Sequence, residues 1–214
     1  MTTINSARLI GMFNQVASAL EADKDRLCQL DGVIGDADHG IAMELGFTAV
    51  RDALAGPDAA TLDPTAIFNT AAKSFLNAVG ASSGPLYATA LMRAGAAVKG
   101  KADLDEADMI LALQAMAKGI QDRGKAEVGE KTMIDAWVPA AEAAGAAQAA
   151  GKSLAQALDA AVAAASEGAE ATKNMVASKG RSARLGERAL GHMDPGAASA
   201  VTVIAAMQEG LRAA

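Results

Sequence analysis

The chain has 214 residues and a formal net charge of -6, and 51% of its residues are hydrophobic although only 3% are aromatic. The acidic balance argues against nucleic acid as the main partner, because a polyanion requires a basic surface. The sequence has no basic and apolar leader and no long apolar run, so it predicts a cytoplasmic protein with no membrane association. The single cysteine, Cys28, can form no internal disulfide, which fits a reducing compartment.

The length allows one domain with a substantial core, and no linker interrupts residues 1–214. Alanine supplies most of the apolar excess. Because alanine has the highest helix propensity and strands favour β-branched and aromatic residues, this composition predicts an all-α domain.

Apolar residues recur at helical spacing along most of the chain. They predict a first helix that stops before Asp31 and a third helix that Asp63 and Pro64 open. The predicted helices are 1–29, 41–54, 64–79, a helix after Pro85, 104–120, 132–144, 153–175 and 197–211. This gives about eight helices and no strand.

The segment LDGVIGDADHG, residues 30–40, concentrates carboxylates with almost no positive charge nearby. Asp36 and Asp38 can turn toward one centre in a loop, and Asp31 can reach in from the preceding helix end. Such oxygen ligands without cysteine suit magnesium and phosphate chemistry. The alternative is an Asp-rich turn between helices. His39 either bonds a phosphate oxygen or caps a helix, and Gly40 leaves space for a phosphate at a helix start.

Three further glycine-bearing segments lie between the predicted helices, at 80–85, 123–132 and 179–199. Ser82 and Ser83 either cradle a phosphate or belong to a simple helix break. Arg181 either neutralises phosphate charge or is an ordinary surface arginine. No P-loop or dinucleotide-binding fingerprint is present.

Four motifs together resemble one family, the nucleotide-binding L subunit of bacterial dihydroxyacetone kinase and the matching C-terminal domain of single-chain ATP-dependent kinases. The motifs are LDGVIGDADHG, SSGPL, RGKAEVGEKTMIDAW and KGRSARLGERALGHMDPGA, in the order of the family. The resemblance covers nearly the whole chain.

The resemblance implies an antiparallel eight-helix barrel with ADP or ATP bound at one end. It implies two Mg²⁺ ions held by Asp31, Asp36 and Asp38. The positions that it places along the nucleotide are His39, Gly40, Ser82, Ser83, Gly124, Met133, Arg181, Asp194, Pro195 and Gly196, with Ser83 toward phosphate and Met133 toward adenine.

Some positions depart from the family pattern. Ala42 stands where asparagine is usual, Ala81 and Ser82 replace a glycine-alanine pair, and Met193 replaces a common glutamine. Loss of one phosphate hydrogen bond costs about 1 to 3 kcal/mol of binding, which tunes the nucleotide affinity of a magnesium-anchored site without abolishing it.

The activity that the resemblance implies is phosphoryl transfer to dihydroxyacetone, which a separate K subunit holds covalently. Phosphate comes from phosphoenolpyruvate through an M subunit that rephosphorylates bound ADP, or from exchanging ATP. Three alternatives stay open: a kinase for a related ketose such as erythrulose, a nucleotide-binding regulatory module, and a stand-alone magnesium phosphohydrolase.

Overall fold

The computed structural model describes residues 3–212, which form eight α-helices. They are α1 (Ser6–Ile34), α2 (His39–Ala53), α3 (Pro64–Ala78), α4 (Ser83–Ala97), α5 (Glu106–Gly124), α6 (Ile134–Ala149), α7 (Leu154–Ala171) and α8 (Pro195–Arg212). Short 3₁₀ helices occupy Pro57–Thr61, Thr172–Asn174 and Ser182–Ala189. Within 3–212 the extended pairing is limited to an isolated antiparallel bridge between Ile4 and Leu104. The expected all-α class is confirmed.

The helices form a closed ring, because each packs against the next in sequence and α8 packs against α1. The closing pair runs antiparallel. Arg8, near the start of α1, donates to the carbonyl of Leu211 near the end of α8, whereas Arg26 lies beside Thr202 further back along α8. Short connections from α1 through to α7 give the same alternation, and a longer segment, residues 172–194, joins α7 to α8.

The interior of the ring holds the few aromatic side chains of the chain. Phe47 packs edge-on against Phe75 and Tyr87, and Tyr87 packs edge-on against Trp137, with ring centroids 5.1 to 6.1 Å apart. Alanine fills much of the rest of the core. Small side chains let the helices approach closely, so the barrel closes around a narrow aromatic centre.

The helix starts at the two ends of the barrel differ. At the end where α1, α3, α5 and α7 begin, side chains cap every first turn, from Asn5, Asp63, Asp105 and Ser153 respectively. At the opposite end, α2, α4 and α6 begin with no side-chain hydrogen bond from the residue before the helix. The positive ends of these helix dipoles therefore collect at this second end without a cap from the side chain of the preceding residue.

The sequence predicted the helices well, with one clear error at α1. That helix continues through Asp31 to Ile34 instead of stopping before Asp31. A carboxylate in a last turn opposes the helix dipole. Asp31 is stabilised there because it accepts hydrogen bonds from the backbone N–H groups of Asp38 and His39. The predicted start of this helix at Met1 lies outside the described residues.

The other boundaries moved by a few residues, and residues 172–174, predicted as the end of the seventh helix, form a 3₁₀ turn. In the part of the chain that the structure describes, no helix is long and apolar enough to span a membrane.

Candidate functional site

A cavity of about 470 Å³ lies at the end of the barrel where α2, α4, α6 and α8 begin. This volume falls in the range of small-molecule sites. Its lining is Asp31, Asp36, Asp38, His39, Ala42, Ala81, Ser82, Ser83, Pro85, Leu86, Ile120, Arg123, Gly124, Ala126, Lys131, Thr132, Met133, Ile134, Lys179, Gly180, Arg181, Ser182, Asp194, Pro195 and Gly196.

The structure brings together nearly all of the site residues named from the sequence. Asp31, Asp36, Asp38, His39, Ser82, Ser83, Gly124, Met133, Arg181, Asp194, Pro195 and Gly196 all line the cavity. Gly40 is not among the lining residues. It packs against α1, where a Cβ would overlap the carbonyl oxygen of Lys24 and approach Sγ of Cys28. The structure therefore gives Gly40 a role in the contact between α1 and α2.

Three carboxylates form the strongest polar feature of the cavity. Asp31, Asp36 and Asp38 each offer an oxygen, and these oxygens lie within 4.8 Å of one another. Asp31 is buried, whereas Asp36 and Asp38 are exposed. A compact set of hard oxygen donors with open sides suits Mg²⁺, which retains positions for water and phosphate. The residues present therefore fit the expected ion.

The backbone between α1 and α2 is built to produce this cluster. Gly35 lies so close to Asp31 that a Cβ there would overlap Oδ1 of the carboxylate. Ala37 has a φ of 63°, a left-handed conformation that costs roughly 1 to 2 kcal/mol for a residue with a side chain. Strain of this kind concentrates at functional sites. The turn thus places Asp36 and Asp38 beside Asp31 at a conformational cost.

Helix starts surround the cavity and make its electrostatic environment favourable to an anion. The first residues of α2, α4 and α6 lie at the lining, and the residues before these helices make no capping hydrogen bond. In α8, Asp194 does cap the helix, because its Oδ2 accepts from the N–H of Ala197 at 2.8 Å. The first N–H groups of α2 and α6 donate within the protein, to Asp31 and to Thr132. The positive ends of three helix dipoles nevertheless converge on this cavity, an arrangement that favours an anion such as phosphate.

The imidazole of His39 is hydrogen-bonded to a buried serine of α8. Its Nε2 lies 2.8 Å from Oγ of Ser199, which in turn donates to the carbonyl of Gly196 at 3.0 Å. Burial lowers the pKa of His39, opposed by the carboxylate of Asp31. The imidazole is thus held in one orientation at the start of α2.

Two buried charged residues near the cavity, Lys131 and Asp135, were not predicted from the sequence, although both lie in the RGKAEVGEKT motif or directly after it. Lys131 is 1% exposed, and its ammonium donates to the carbonyl oxygens of Thr172 and His192, both at 2.5 Å. The buried carboxylate of Asp135 accepts from the N–H groups of Gly129 at 2.5 Å and Thr132 at 2.8 Å. A charged residue inside a glycine-bearing motif was the available clue, but its burial depends on distant parts of the chain.

Asp194 is a buried acid in the cavity wall. Burial raises its pKa to about 7, and the N–H of Ala197 and the charge of Lys131 reduce this rise. Burial lowers the pKa of Lys131, and the carboxylates of Asp194 and Asp135 oppose that change. The two groups share one desolvated region of the wall.

Residues 175–190, here called the strap, cross the cavity between α7 and α8. On one side Ser178 donates through its backbone N–H and its hydroxyl to Glu130. On the other side Ser182 donates to the carbonyl of Ile34 at 3.2 Å, and Arg181 forms ion pairs with Asp36 and Asp38. The strap therefore joins the loop before α6 to the aspartate turn.

The remaining lining is apolar and comes from α4, α5, α6 and the loop between α5 and α6. It consists of Leu86, Ile120, Ala126, Met133 and Ile134. No aromatic side chain is among the lining residues. This wall suits the flat face of an aromatic ring such as a nucleobase, held by aliphatic and thioether contacts. Ala42 and Ala81, which depart from the family pattern, also line the cavity.

These features define a closed helical barrel whose cavity combines clustered carboxylates, converging helix starts and an apolar wall. The family model described as the DAK2 domain matches residues 33–209. The chain belongs to the DAK2-domain family, as the sequence motifs predicted.

The relatives of the chain include bacterial kinase subunits. The chain is 36% identical over 194 residues to the ADP-binding subunit DhaL of PEP-dependent dihydroxyacetone kinase 1 from Listeria innocua, covering 91% of each chain. It is 36% identical over 197 residues to the corresponding DhaL subunit from Escherichia coli, covering 92% of this chain and 93% of that one. The expectation of a kinase family is confirmed.

A solved structure supports the fold assignment. The dihydroxyacetone kinase from C. freundii, in complex with AMP-PNP and Mg²⁺, matches with a TM-score of 0.73 and 25% identity. The match covers 98% of this chain and 35% of that kinase, so the chain corresponds to about a third of its length.

Proposed function

We propose that the chain binds an adenine nucleotide with Mg²⁺ in this cavity and serves as the nucleotide-binding subunit of a dihydroxyacetone kinase. One observation carries the proposal. The carboxylate cluster of Asp31, Asp36 and Asp38 faces the same cavity as the starts of α2, α4 and α6, whose helix dipoles point their positive ends there. The names of the Listeria and Escherichia relatives, both ADP-binding subunits, point to the same ligand.

Asp31, Asp36 and Asp38 would hold the metal, for which we propose two ions. Bound Mg²⁺ neutralises phosphate charge and stabilises the charge that develops on a transferred phosphoryl group. Asp31 is oriented in advance by its two backbone donors, so its carboxylate needs little reorganisation.

The phosphates would lie at the helix starts, and the base would lie against the apolar wall. Ser82, Ser83 and His39 contribute donors at the starts of α4 and α2. Met133 and Gly124 lie on the apolar side, and Pro195 and Gly196 form the start of α8. Arg181 brings a positive charge from the strap, which suits a phosphate oxygen once the aspartates hold a cation.

The acceptor sugar would come from a partner. We propose that a K subunit presents covalently held dihydroxyacetone at the open end of the cavity. The name of the Listeria relative, a subunit of a PEP-dependent kinase, supports phosphoenolpyruvate as the phosphoryl source. We further propose that an M subunit passes this phosphoryl group to bound ADP. Exchanging ATP is the alternative donor.

Reconstitution tests this proposal. The chain, loaded with ATP and Mg²⁺, is mixed with a K subunit and dihydroxyacetone, and dihydroxyacetone phosphate is measured. Product that requires both proteins supports a kinase subunit, and substitution of erythrulose for dihydroxyacetone tests the sugar. Nucleotide binding without product would indicate a regulatory module. Phosphate release by the chain alone would indicate a phosphohydrolase.

A further inference from the structure

Lys131 joins the two ends of the strap at the point where it leaves and rejoins the barrel. Its ammonium donates to the carbonyl of Thr172, just before the strap, and to that of His192, just after it. The N–H of Gly191 also donates to the carbonyl of Lys173 at 2.8 Å. The N–H of Asp194 donates to Oγ1 of Thr172 at 2.9 Å. These contacts define what we call the feet of the strap.

The ammonium is the only charged group among these contacts, and it is held in an unusual way. Lys131 is 1% exposed, and its backbone has a φ of 61° in the left-handed region. Asp135 fixes this backbone from α6 by accepting the N–H groups on both sides of it, at Gly129 and Thr132. A buried ammonium costs free energy unless it is well bonded, and a left-handed lysine adds strain. The surrounding structure therefore compensates both the burial of the ammonium and the strain of the left-handed backbone.

The strap carries the cation that reaches the carboxylate cluster. Arg181 lies within the strap and pairs with Asp36 and Asp38. Its side chain and theirs are 43% to 57% exposed, so ion pairs of this kind hold a segment only weakly. The feet include the buried hydrogen bonds from Lys131 and Asp194 to Thr172, which are therefore the stronger restraint on where Arg181 lies.

We propose that Lys131 is a positioning residue that holds the strap closed over the cavity and thereby slows the release of bound nucleotide. It acts through the strap and not by contact with the reacting atoms. The effect on the nucleotide rests on the function proposed above, whereas the effect on the strap does not.

Limited proteolysis tests the effect on the strap without any ligand. The strap contains four exposed trypsin sites, Lys179, Arg181, Arg184 and Arg188. In Lys131→Met, which keeps an unbranched stem but loses the ammonium, we expect cleavage at these sites to rise at least about tenfold, with cleavage elsewhere changed by less than about twofold. Lys125→Met is the matched control, because Lys125 is also left-handed, with a φ of 50°, but is exposed.

A general loss of stability would raise cleavage along the whole chain, so a rise that is not confined to the strap would overturn the proposal. Hydrogen exchange of the wild-type chain gives a second readout if the variant fails to fold. The amides of Gly191 and Asp194 at the feet should exchange more slowly than amides within the strap. Equal rates would contradict the proposal.

A second experiment tests the effect on the nucleotide by measuring the dissociation and association rates of ADP in the presence of Mg²⁺. For Lys131→Met we expect dissociation to accelerate at least about tenfold while association changes by less than about threefold. An unchanged dissociation rate would overturn the link to nucleotide release. If wild-type chain binds no ADP, the proposed function fails, and the proteolysis result still decides the role of Lys131 in the strap.

Discussion

The carboxylate of Asp31 accepts a hydrogen bond of 2.9 Å from the backbone N–H of Asp38. This contact ties the last turn of α1 to the residue before α2 and brings two of the three clustered aspartates together. Asp31 is thereby both a candidate metal ligand and the acceptor that organises the turn. A hydrogen bond within the protein thus holds these two aspartates side by side.

Replacement of Gly35 tests whether this arrangement is needed. In Gly35→Ala the new Cβ overlaps Oδ1 of Asp31, so the carboxylate must move. We expect Mg²⁺-dependent ADP affinity to fall at least about tenfold and the free energy of unfolding to fall by about 1 to 3 kcal/mol. Calorimetry and chemical denaturation measure the two effects.

Gly56→Ala is the control for this substitution. Gly56 has a φ of -69°, and no atom lies within 4 Å of a Cβ at that position. Its ADP affinity should equal that of the wild type. An equal loss in both variants would show that the effect of Gly35→Ala does not come from Asp31.

Arg181 tests the charge balance of the cavity. In Arg181→Gln the carboxylates of Asp36 and Asp38 lose their ion-pair partner. Without nucleotide, Mg²⁺ affinity should rise about twofold or more, since a competing cation is gone. With Mg²⁺ present, ADP affinity should fall about tenfold, since a charged donor to phosphate is lost.

The matched control is Arg184→Gln, which removes an exposed arginine from the same strap. Both affinities should stay at the wild-type values in this variant. Changes of the same sign in both affinities for Arg181→Gln would contradict the expected role of the arginine.

Asp194 predicts a specific dependence of stability on pH. Burial raises its pKa from 3.8 to about 7, so the folded chain holds this proton over a range in which the unfolded chain has released it. The contribution of Asp194 to the free energy of unfolding therefore falls as pH rises from about 4 to about 7, with a limiting slope of about 1.4 kcal/mol per pH unit.

Asp194→Asn removes the titrating group and retains a good helix cap. We expect the free energy of unfolding of the wild type, relative to that of the variant, to fall as pH rises from about 4 to about 7 and to stay constant above that range. This comparison also distinguishes the effect of Asp194 from that of His39. Because burial lowers the pKa of His39, its contribution to stability is lost as pH falls, whereas that of Asp194 is lost as pH rises. Parallel curves from pH 4 to 7 would contradict the prediction.

Local chemistry made much of the fold predictable. Asp63 and Pro64 marked the start of α3 correctly, and Asp63 does accept the N–H of Ala66. The predicted end of α1 was wrong because an aspartate in the last turn of a helix is locally unfavourable. The backbone N–H groups that stabilise Asp31 there lie seven and eight residues further along the chain.

The candidate site was predictable where motifs concentrated unusual residues, as in GDADHG. The role of Lys131 could not be predicted from the sequence, because its partners Thr172 and His192 lie 41 and 61 residues away. Composition and spacing describe such a lysine as an ordinary cation of a surface loop. The difference in helix capping between the two ends of the barrel could not be predicted either. It depends on which side chains accept hydrogen bonds from the first helical N–H groups, and not only on which residues precede the helices.

The most direct test of the central claim is calorimetric titration of nucleotide-free chain with ADP. It compares wild type in Mg²⁺, wild type in EDTA, and Asp36→Asn in Mg²⁺, with Asp58→Asn as an exposed control carboxylate remote from the lining. We expect one ADP per chain for wild type and Asp58→Asn in Mg²⁺, and binding at least about a hundredfold weaker in EDTA and in Asp36→Asn. Equal affinity under all four conditions would contradict a magnesium-anchored nucleotide at this cavity.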